Sequence, residues 1–439
     1  MRRRVVITGL GCVTPIGSTI DSFWDSLTAG RSGAGPLTVF DASRYPVRIA
    51  AEVKNWTLAD LGVDPTPWTN APRQTRFALG SALSATAAAG LPSSRIDPVR
   101  FGVYLGCGEA FADFPSFMQS LAEASSEGQA EASRFLQSAL RVFDPQAEPE
   151  YEPNSPAGHL AALLGAHGPN INCIAACVSS AQAVGQAARM IRRGEVDLML
   201  AGGAHSTIHP FGLTGFHRLS TLSTRNDAPQ QANRPFDRDR DGFVIGEGGA
   251  AFVLEELDHA RSRGAEIWAE VTGYGSAQDA YRITDTHPEG RGTVAAIQRA
   301  LNDAQLNAES IDYINAHGTG TELNDRIETI AFKKALGDHA WRVPISSTKS
   351  MLGHATTACA AIELAVCVLA IRHGAIPPTI NLDNPDPDCD LDYVPHTARE
   401  RNCRHILSDS VGFGGQNAAL VVSRFDESSP STVGTTRAA

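Results

Sequence analysis

The stretch Ile174-Ala-Ala-Cys177-Val-Ser-Ser180 runs directly into Ala181, Val184, Ala187, Ala188 and Ile191, apolar positions at helical spacing. Arg192 and Arg193 fall in the last turn, where cations favour a helix C-terminus, and Gly194 supplies a stop. A strand-like run over 196–201 follows and ends at Gly202-Gly203. A second unit of this kind comes later. His354 precedes an apolar helix over 355–371, which Arg372-His373-Gly374 closes. Strands alternating with helices predict an α/β fold. Two helices that end alike, each with a reactive side chain at its entrance, predict a duplicated fold whose halves meet at the active site. No clear sequence repeat accompanies that signal.

Outward from this centre, 5–8 reads as a strand leading into a glycine turn, 75–89 as an Ala-rich helix, and 101–105 as a strand ending at Gly106-Cys107-Gly108. Residues 112–152 are acidic and helical in character, with Glu123, Glu127 and Glu131 and a Pro-rich exit, which suits a surface cap. The tail from Asp426 reads as disordered.

The chain has 439 residues, 42% hydrophobic and 19% charged, enough for a large core. A net charge of −11 argues against non-specific nucleic-acid binding. The eight cysteines are scattered without a Cys-x-x-Cys pair, so no structural zinc site is expected and a reducing cytoplasm is. The basic start is too short and Gly-broken for a signal peptide. The apolar run at 355–371 contains Glu363, Thr356 and Thr357 and suits a buried core helix better than a membrane span.

Cys177 stands where unpaired helix N–H groups and the helix dipole favour thiolate. The alternative is an inert buried cysteine, as Cys173 in its strand-like stretch illustrates. His317 lies in Asn315-Ala-His-Gly-Thr-Gly-Thr321 and His354 in Lys349-Ser-Met-Leu-Gly-His354. Gly318 and Gly353 let a ligand approach each imidazole closely. Thr319 and Thr321 offer hydroxyls, while Asp325 and Glu328 stand where they can orient Lys349 or a histidine. Gly412-Phe413-Gly-Gly415 permits a tight loop with N–H groups aimed at an oxyanion, or a plain hairpin. Three other patterns are decoys. Gly9-Leu-Gly11 lacks the third glycine of a dinucleotide fingerprint. Ser346-Ser-Thr-Lys349 lacks the companion motifs of a serine hydrolase. Asp237-Arg-Asp-Arg-Asp-Gly242 lacks the closing glutamate of a calcium loop and reads as a solvated turn.

Together these frames resemble the β-ketoacyl-acyl carrier protein synthases of the elongating II type, from about residue 3 to about residue 424. The likeness is carried also by Leu219-Ser-Thr-Leu-Ser-Thr-Arg-Asn-Asp227, Arg234-Pro-Phe-Asp237, Asp241-Gly-Phe-Val-Ile-Gly-Glu-Gly248 and Pro377-Pro-Thr-Ile-Asn-Leu382. The resemblance implies a thiolase-like fold, two pseudo-duplicated α/β halves (1–262 and 263–425) in a five-layered α-β-α-β-α core, and a homodimer. It implies decarboxylative Claisen condensation of an acyl-enzyme with malonyl-acyl carrier protein. Substrates would ride on the phosphopantetheine arm of that carrier, with no metal, nicotinamide or flavin. Cys177 would be the nucleophile, and His317 and His354 would bind the malonyl carbonyl. Lys349 would support them, held by Glu328. Thr319 and Thr321 would contact the phosphopantetheine, and Phe216 the acyl chain. Phe413 would be the gate, its N–H sharing the oxyanion hole with that of Cys177. Glu109 departs from the family pattern, and inward it would favour a short, polar or polyketide-like chain. A chain-length-factor subunit without elongating activity is the alternative. A thiolase is a further one, but it would carry a second cysteine where Phe413 stands.

Overall fold

In the computed structural model, residues 3–91 and 96–427 are described. Of the tail from Asp426, all but its first two residues lie outside them. Ten strands join in one hydrogen-bonded order. In chain order they are β1 (Val5–Val13), β2 (Phe101–Leu105), β3 (Asn170–Asn172), β4 (Leu198–Ser206), β5 (Glu247–Glu256), β6 (Ala269–Gln278), β7 (Tyr313–Asn315), β8 (Ile345–Ser346), β9 (His405–Gly412) and β10 (Gln416–Ser423). The spatial order is β8-β7-β9-β10-β6-β1-β5-β4-β2-β3. Read outward from the centre, each half repeats the other. β1-β5-β4-β2-β3 pair antiparallel, antiparallel, parallel and parallel, and so do β6-β10-β9-β7-β8. Among the described residues, only Val6↔Glu270 and Ile7↔Ala269 join β1 to β6, so the halves meet there and stack.

The helices fall into matching places. α1 (Arg73–Ala88) covers β1 and β5 from outside, and a later helix, Arg291–Ala304, covers β6 and β10 in the same way. Between α1 and that outer helix come α2 (Phe114–Ala124), α3 (Ala132–Val142), α4 (Ser155–Leu164), α5 (Ser179–Arg192) and α6 (Pro210–Arg218). The outer helix of the second half is α7, followed by α8 (Glu322–Leu336) and α9 (Cys359–His373). α5 and α9 pack on each other between the half-sheets. The layers therefore run α1, first half-sheet, α5 with α9, second half-sheet, α7. Strands covered on both faces lose the inside-outside alternation, and β1 is buried at every position. α9 is the apolar run of the sequence, and 89% of its candidate span is buried inside the fold, which makes it the core helix expected.

Both outer helices sit unusually close to their strands. A Cβ on Gly9 or Gly11 would lie 2.2 Å from a carbonyl oxygen of α1. A Cβ on Gly273 or Gly275 would lie 2.2 or 2.1 Å from one of α7. Glycine is thus required by the approach of helix backbone to strand, and Gly9-Leu-Gly11 has a packing role. Gly275→Ala is expected to destabilise the fold by about 1–3 kcal/mol through overpacking, read as a lowered denaturant midpoint. An unchanged midpoint would show that α7 can move away freely.

The acidic excursion folds as a helical hairpin. α2 and α3 pack together, and Glu123 accepts from Ser138 Oγ at 2.6 Å and pairs with Arg141. The Asp237–Gly242 turn is solvated at Arg238, Asp239 and Asp241 but not at Asp237 and Arg240. Asp237 is fully buried, accepts from the backbone N–H groups of Asp383 and Asn384, and pairs with Arg234 at 3.0 Å.

Candidate active site

The duplication explains the convergence of the reactive groups. Cys177 follows β3 and precedes α5, while His354 follows β8 and precedes α9, so the two occupy equivalent places in the two halves. His317 follows β7, and Phe413 follows β9. All four emerge beyond the carboxyl ends of strands, where open α/β sheets place ligands. A turn with Ala176 at φ 49° sets Cys177 ahead of the helix. Ser179 pins that turn, accepting from the Ala175 N–H and donating to the Ala176 carbonyl.

Cys177 Sγ lies 3.2 Å from His354 Nε2. The two imidazoles stand edge to face, 5.3 Å between centroids, and one ligand atom from each of Cys177, His317 and His354 falls within 4.8 Å of the others. A cavity of about 290 Å³ opens onto this trio, and Phe216, Thr319, Thr321 and Phe413 share its lining. Thr319 and Thr321 hydroxyls are hydrogen-bonded at 2.9 Å. Phe243 stands edge-on to both Phe216 and His354 and fixes that wall. Phe413 and Cys177 each turn a backbone N–H toward the Cys177 sulfur.

Two site expectations are corrected. Lys349 is not held by Glu328. Its ammonium is fully buried, pairs with Glu363 on α9, and donates to the His317 carbonyl at 2.6 Å. Glu328 instead accepts from the Gly318 N–H at 2.8 Å and from Asn324, fixing the loop after His317. Glu109 does not line the cavity. Its side chain is exposed, because the His205 ring already fills the interior beside Gly108, where a Cβ would sit 2.4 Å from His205 Nε2. His205 was not singled out in the sequence. It contacts the Thr356 hydroxyl, two residues beyond His354, and Thr356 holds φ 47°, an uncommon value for a β-branched residue. Cys359 is a second unforeseen neighbour, its thiol donating to the Cys177 carbonyl at 3.3 Å.

Charge follows burial. Burial drives both His317 and His354 well below the ordinary imidazole value, and the Lys349 cation adds to it, so both rings are neutral near pH 7. Burial opposes the charge on Lys349, but Glu363 outweighs it and raises the pKa. Glu363 is pushed up to about 7 by burial, held back by Lys349. Glu328 and Asp409 are buried side by side, and burial raises both. Cys177 departs from the thiolate expectation. Desolvation pushes its thiol up to about 11, against the smaller opposing pull of Lys349 and the two N–H groups. A raised thiol pKa leaves little thiolate at pH 7. Alkylation by iodoacetamide is therefore expected to accelerate about tenfold per pH unit from 7 through 10. A plateau below pH 9 would contradict it.

The family comparisons agree with this geometry. Residues 2–260 match the model for the beta-ketoacyl synthase N-terminal domain, and residues 268–383 that for the C-terminal domain. The chain belongs to the beta-ketoacyl synthase family, and its five-layered core is the thiolase-like fold. It is 43% identical over 423 residues to 3-oxoacyl-[acyl-carrier-protein] synthase 2 of Coxiella burnetii, covering 96% of this chain and 99% of that protein. It is 41% identical over 422 residues to the tetracenomycin polyketide synthase ketoacyl synthase alpha subunit of Streptomyces glaucescens, covering 96% and 97%. A type II polyketide ketosynthase, solved in complex with its acyl carrier protein and bound to the hexaketide, matches with a TM-score of 0.86 at 34% identity, covering 97% of this chain and all of that one. The ishigamide ketosynthase/chain length factor matches at 0.85 and 33%, with the same coverage.

Proposed function

We propose that this protein extends an acyl chain by two carbons, through decarboxylative Claisen condensation with malonyl-acyl carrier protein. The observation that carries the reading is the 3.2 Å contact of Cys177 Sγ with His354 Nε2, with His317 beside them, at the base of an open cavity. Cys177 attacks the acyl thioester and releases the pantetheine thiol, which takes up the proton that the cysteine gives. Exchange of one thioester for another is nearly thermoneutral, so a thiol held as such at rest suffices.

Malonyl thioester then enters along Thr319 and Thr321. Loss of CO₂ leaves an enolate, whose oxygen accepts N–H bonds from the neutral His317 and His354. The enolate carbon attacks the Cys177 thioester, forming the new C–C bond. The oxygen of that tetrahedral adduct is held by the N–H groups of Cys177 and Phe413, and the Cys177 sulfur leaves, taking a proton from solvent to return to the thiol. Lys349, tied to Glu363, anchors the His317 backbone and adds to the burial that keeps both imidazoles neutral. Phe216 borders the acyl chain and Phe413 gates it.

The same reading divides the chain into halves at 1–262 and 263–425, with 112–152 as a cap on the first. It makes the protein a cytoplasmic homodimer that takes its substrates from acyl carrier protein and needs no further cofactor. Fatty-acid and polyketide relatives stand at 43% and 41% identity, so identity alone does not choose between the pathways. A panel of acyl carrier protein thioesters, short to long and reduced to β-keto, incubated with the purified chain and malonyl-acyl carrier protein, tests the reading. Extended product from the chain alone supports it. Product only after a second ketosynthase subunit is added would favour the chain-length-factor alternative.

A further inference from the structure

The trio that meets at the cavity base is also a soft-metal ligand set. Cys177, His317 and His354 offer one sulfur and two ring nitrogens within 4.8 Å of one another. Zinc takes Zn–S near 2.3 Å and Zn–N near 2.0–2.1 Å in tetrahedral sites, which sets ligand atoms roughly 3.3–3.6 Å apart. The 3.2 Å between Cys177 Sγ and His354 Nε2 is close to that spacing, and His317 brings a ring nitrogen within 4.8 Å of both. Both histidines are 2% exposed, and His354 turns its Nε2 to Cys177 Sγ. Neutral imidazoles ligate through lone pairs without giving up a proton. The cavity leaves a fourth position for water, as in open zinc sites.

We propose that the resting active site binds a soft divalent cation, zinc by preference, and that the bound ion holds the enzyme off. The step is Cys177–SH + Zn²⁺ → Cys177–S–Zn⁺ + H⁺, with the proton passing to solvent and no change of oxidation state. The sulfur lone pair needed for acyl transfer becomes a metal bond. Both imidazoles are turned to the ion, away from any malonyl carbonyl. Once Cys177 carries an acyl group its sulfur is a thioester, a poor ligand, and two imidazoles alone remain. Metal and acyl chain thus exclude one another, and the acyl-enzyme escapes inhibition. The inhibition rests on the condensation reading, whereas metal binding does not.

A neighbouring trio, His317, Cys359 and Glu363, also lies within 4.8 Å. Its carboxylate is committed to Lys349, so it is the poorer site. Cobalt(II) added to the metal-free full-length chain under anaerobic conditions separates the two. A thiolate-to-cobalt charge-transfer band is expected in the wild type and in Cys359→Ala, lost in Cys177→Ala, weakened in His354→Ala, and bleached by zinc. Circular dichroism confirms that each variant is folded. No band in the wild type, or a band that survives in Cys177→Ala, overturns the proposal. At free zinc ten times its dissociation constant, alkylation of Cys177 should slow about elevenfold by mass action. A chain that binds cobalt at Cys177 yet condenses no thioester would keep the metal site and lose the condensation reading. A chain that condenses but gives no band would do the reverse.

Discussion

Lys349→Met is expected to lower stability by about 3–5 kcal/mol at pH 8, because it leaves the buried Glu363 carboxylate without its cation. The loss should depend on pH in a definite direction. Glu363 is already raised from 4.5 to about 7 with Lys349 present, and removing the cation raises it further. The folded variant then holds a proton that the unfolded chain releases. Stability is retained below the unfolded value of 4.5 and falls as pH rises from there through the folded value above 7. Chemical denaturation at pH 5.5 and 8.5 should therefore show a small deficit at the lower pH and a large one at the higher. Lys349→Met combined with Glu363→Gln should recover much of the loss, since removing both charges leaves no uncompensated ion. Equal deficits at both pH values, with no recovery in the double variant, would mean that the pair is not what holds this region.

His354→Ala and His317→Ala are each expected to reduce condensation about 10²–10³-fold, the usual consequence of losing one donor to a developing oxyanion. The loss should fall on decarboxylation of malonyl thioester far more than on acylation of Cys177. Since both rings are neutral well below their ordinary range, wild-type condensation should show no inflection from imidazole protonation between about pH 6 and 8. Asparagine or glutamine in place of either histidine keeps an N–H donor and should recover part of the rate. A clear acidic limb near 6.5 that Glu363→Gln and Asp409→Asn leave in place would show a charged imidazole in the working site. Acylation lost as completely as decarboxylation would assign the histidines to the wrong half-reaction.

The reactive residues were legible because each sits in a frame of small residues beside a strand end, and because helix entrances are easy to read. The α5 and α9 units were legible through their shared Arg-plus-Gly endings. The stronger sign of duplication was passed over. Thr8-Gly-Leu-Gly11 and Thr272-Gly-Tyr-Gly275 are the same pattern, placed where α1 and α7 press onto β1 and β6. Strand β1 runs on to Val13 through those glycines because both its faces are covered, and local propensity counts for little there.

The pairing of Lys349 with Glu328 came from the family resemblance, and the residues themselves left Glu328 free to orient Lys349 or a histidine. Glu363 carried a sign of its own, a lone carboxylate in an otherwise apolar helix, which requires a buried counter-charge. The thiolate expectation weighed the helix terminus and omitted desolvation, which only the assembled site reveals. An inward Glu109 rested on the family resemblance, which puts an apolar residue there, but the His205 ring takes that space.

The account stands on a covalent acyl group carried by one sulfur. Intact-mass and peptide mass spectrometry after mixing the chain with acyl carrier protein thioester measures this directly. One acyl group per chain, on the peptide containing Cys177, discharged on addition of malonyl-acyl carrier protein with release of the extended β-keto product, is the predicted result. Acylation at another residue, or undiminished chain extension by Cys177→Ala, would contradict it.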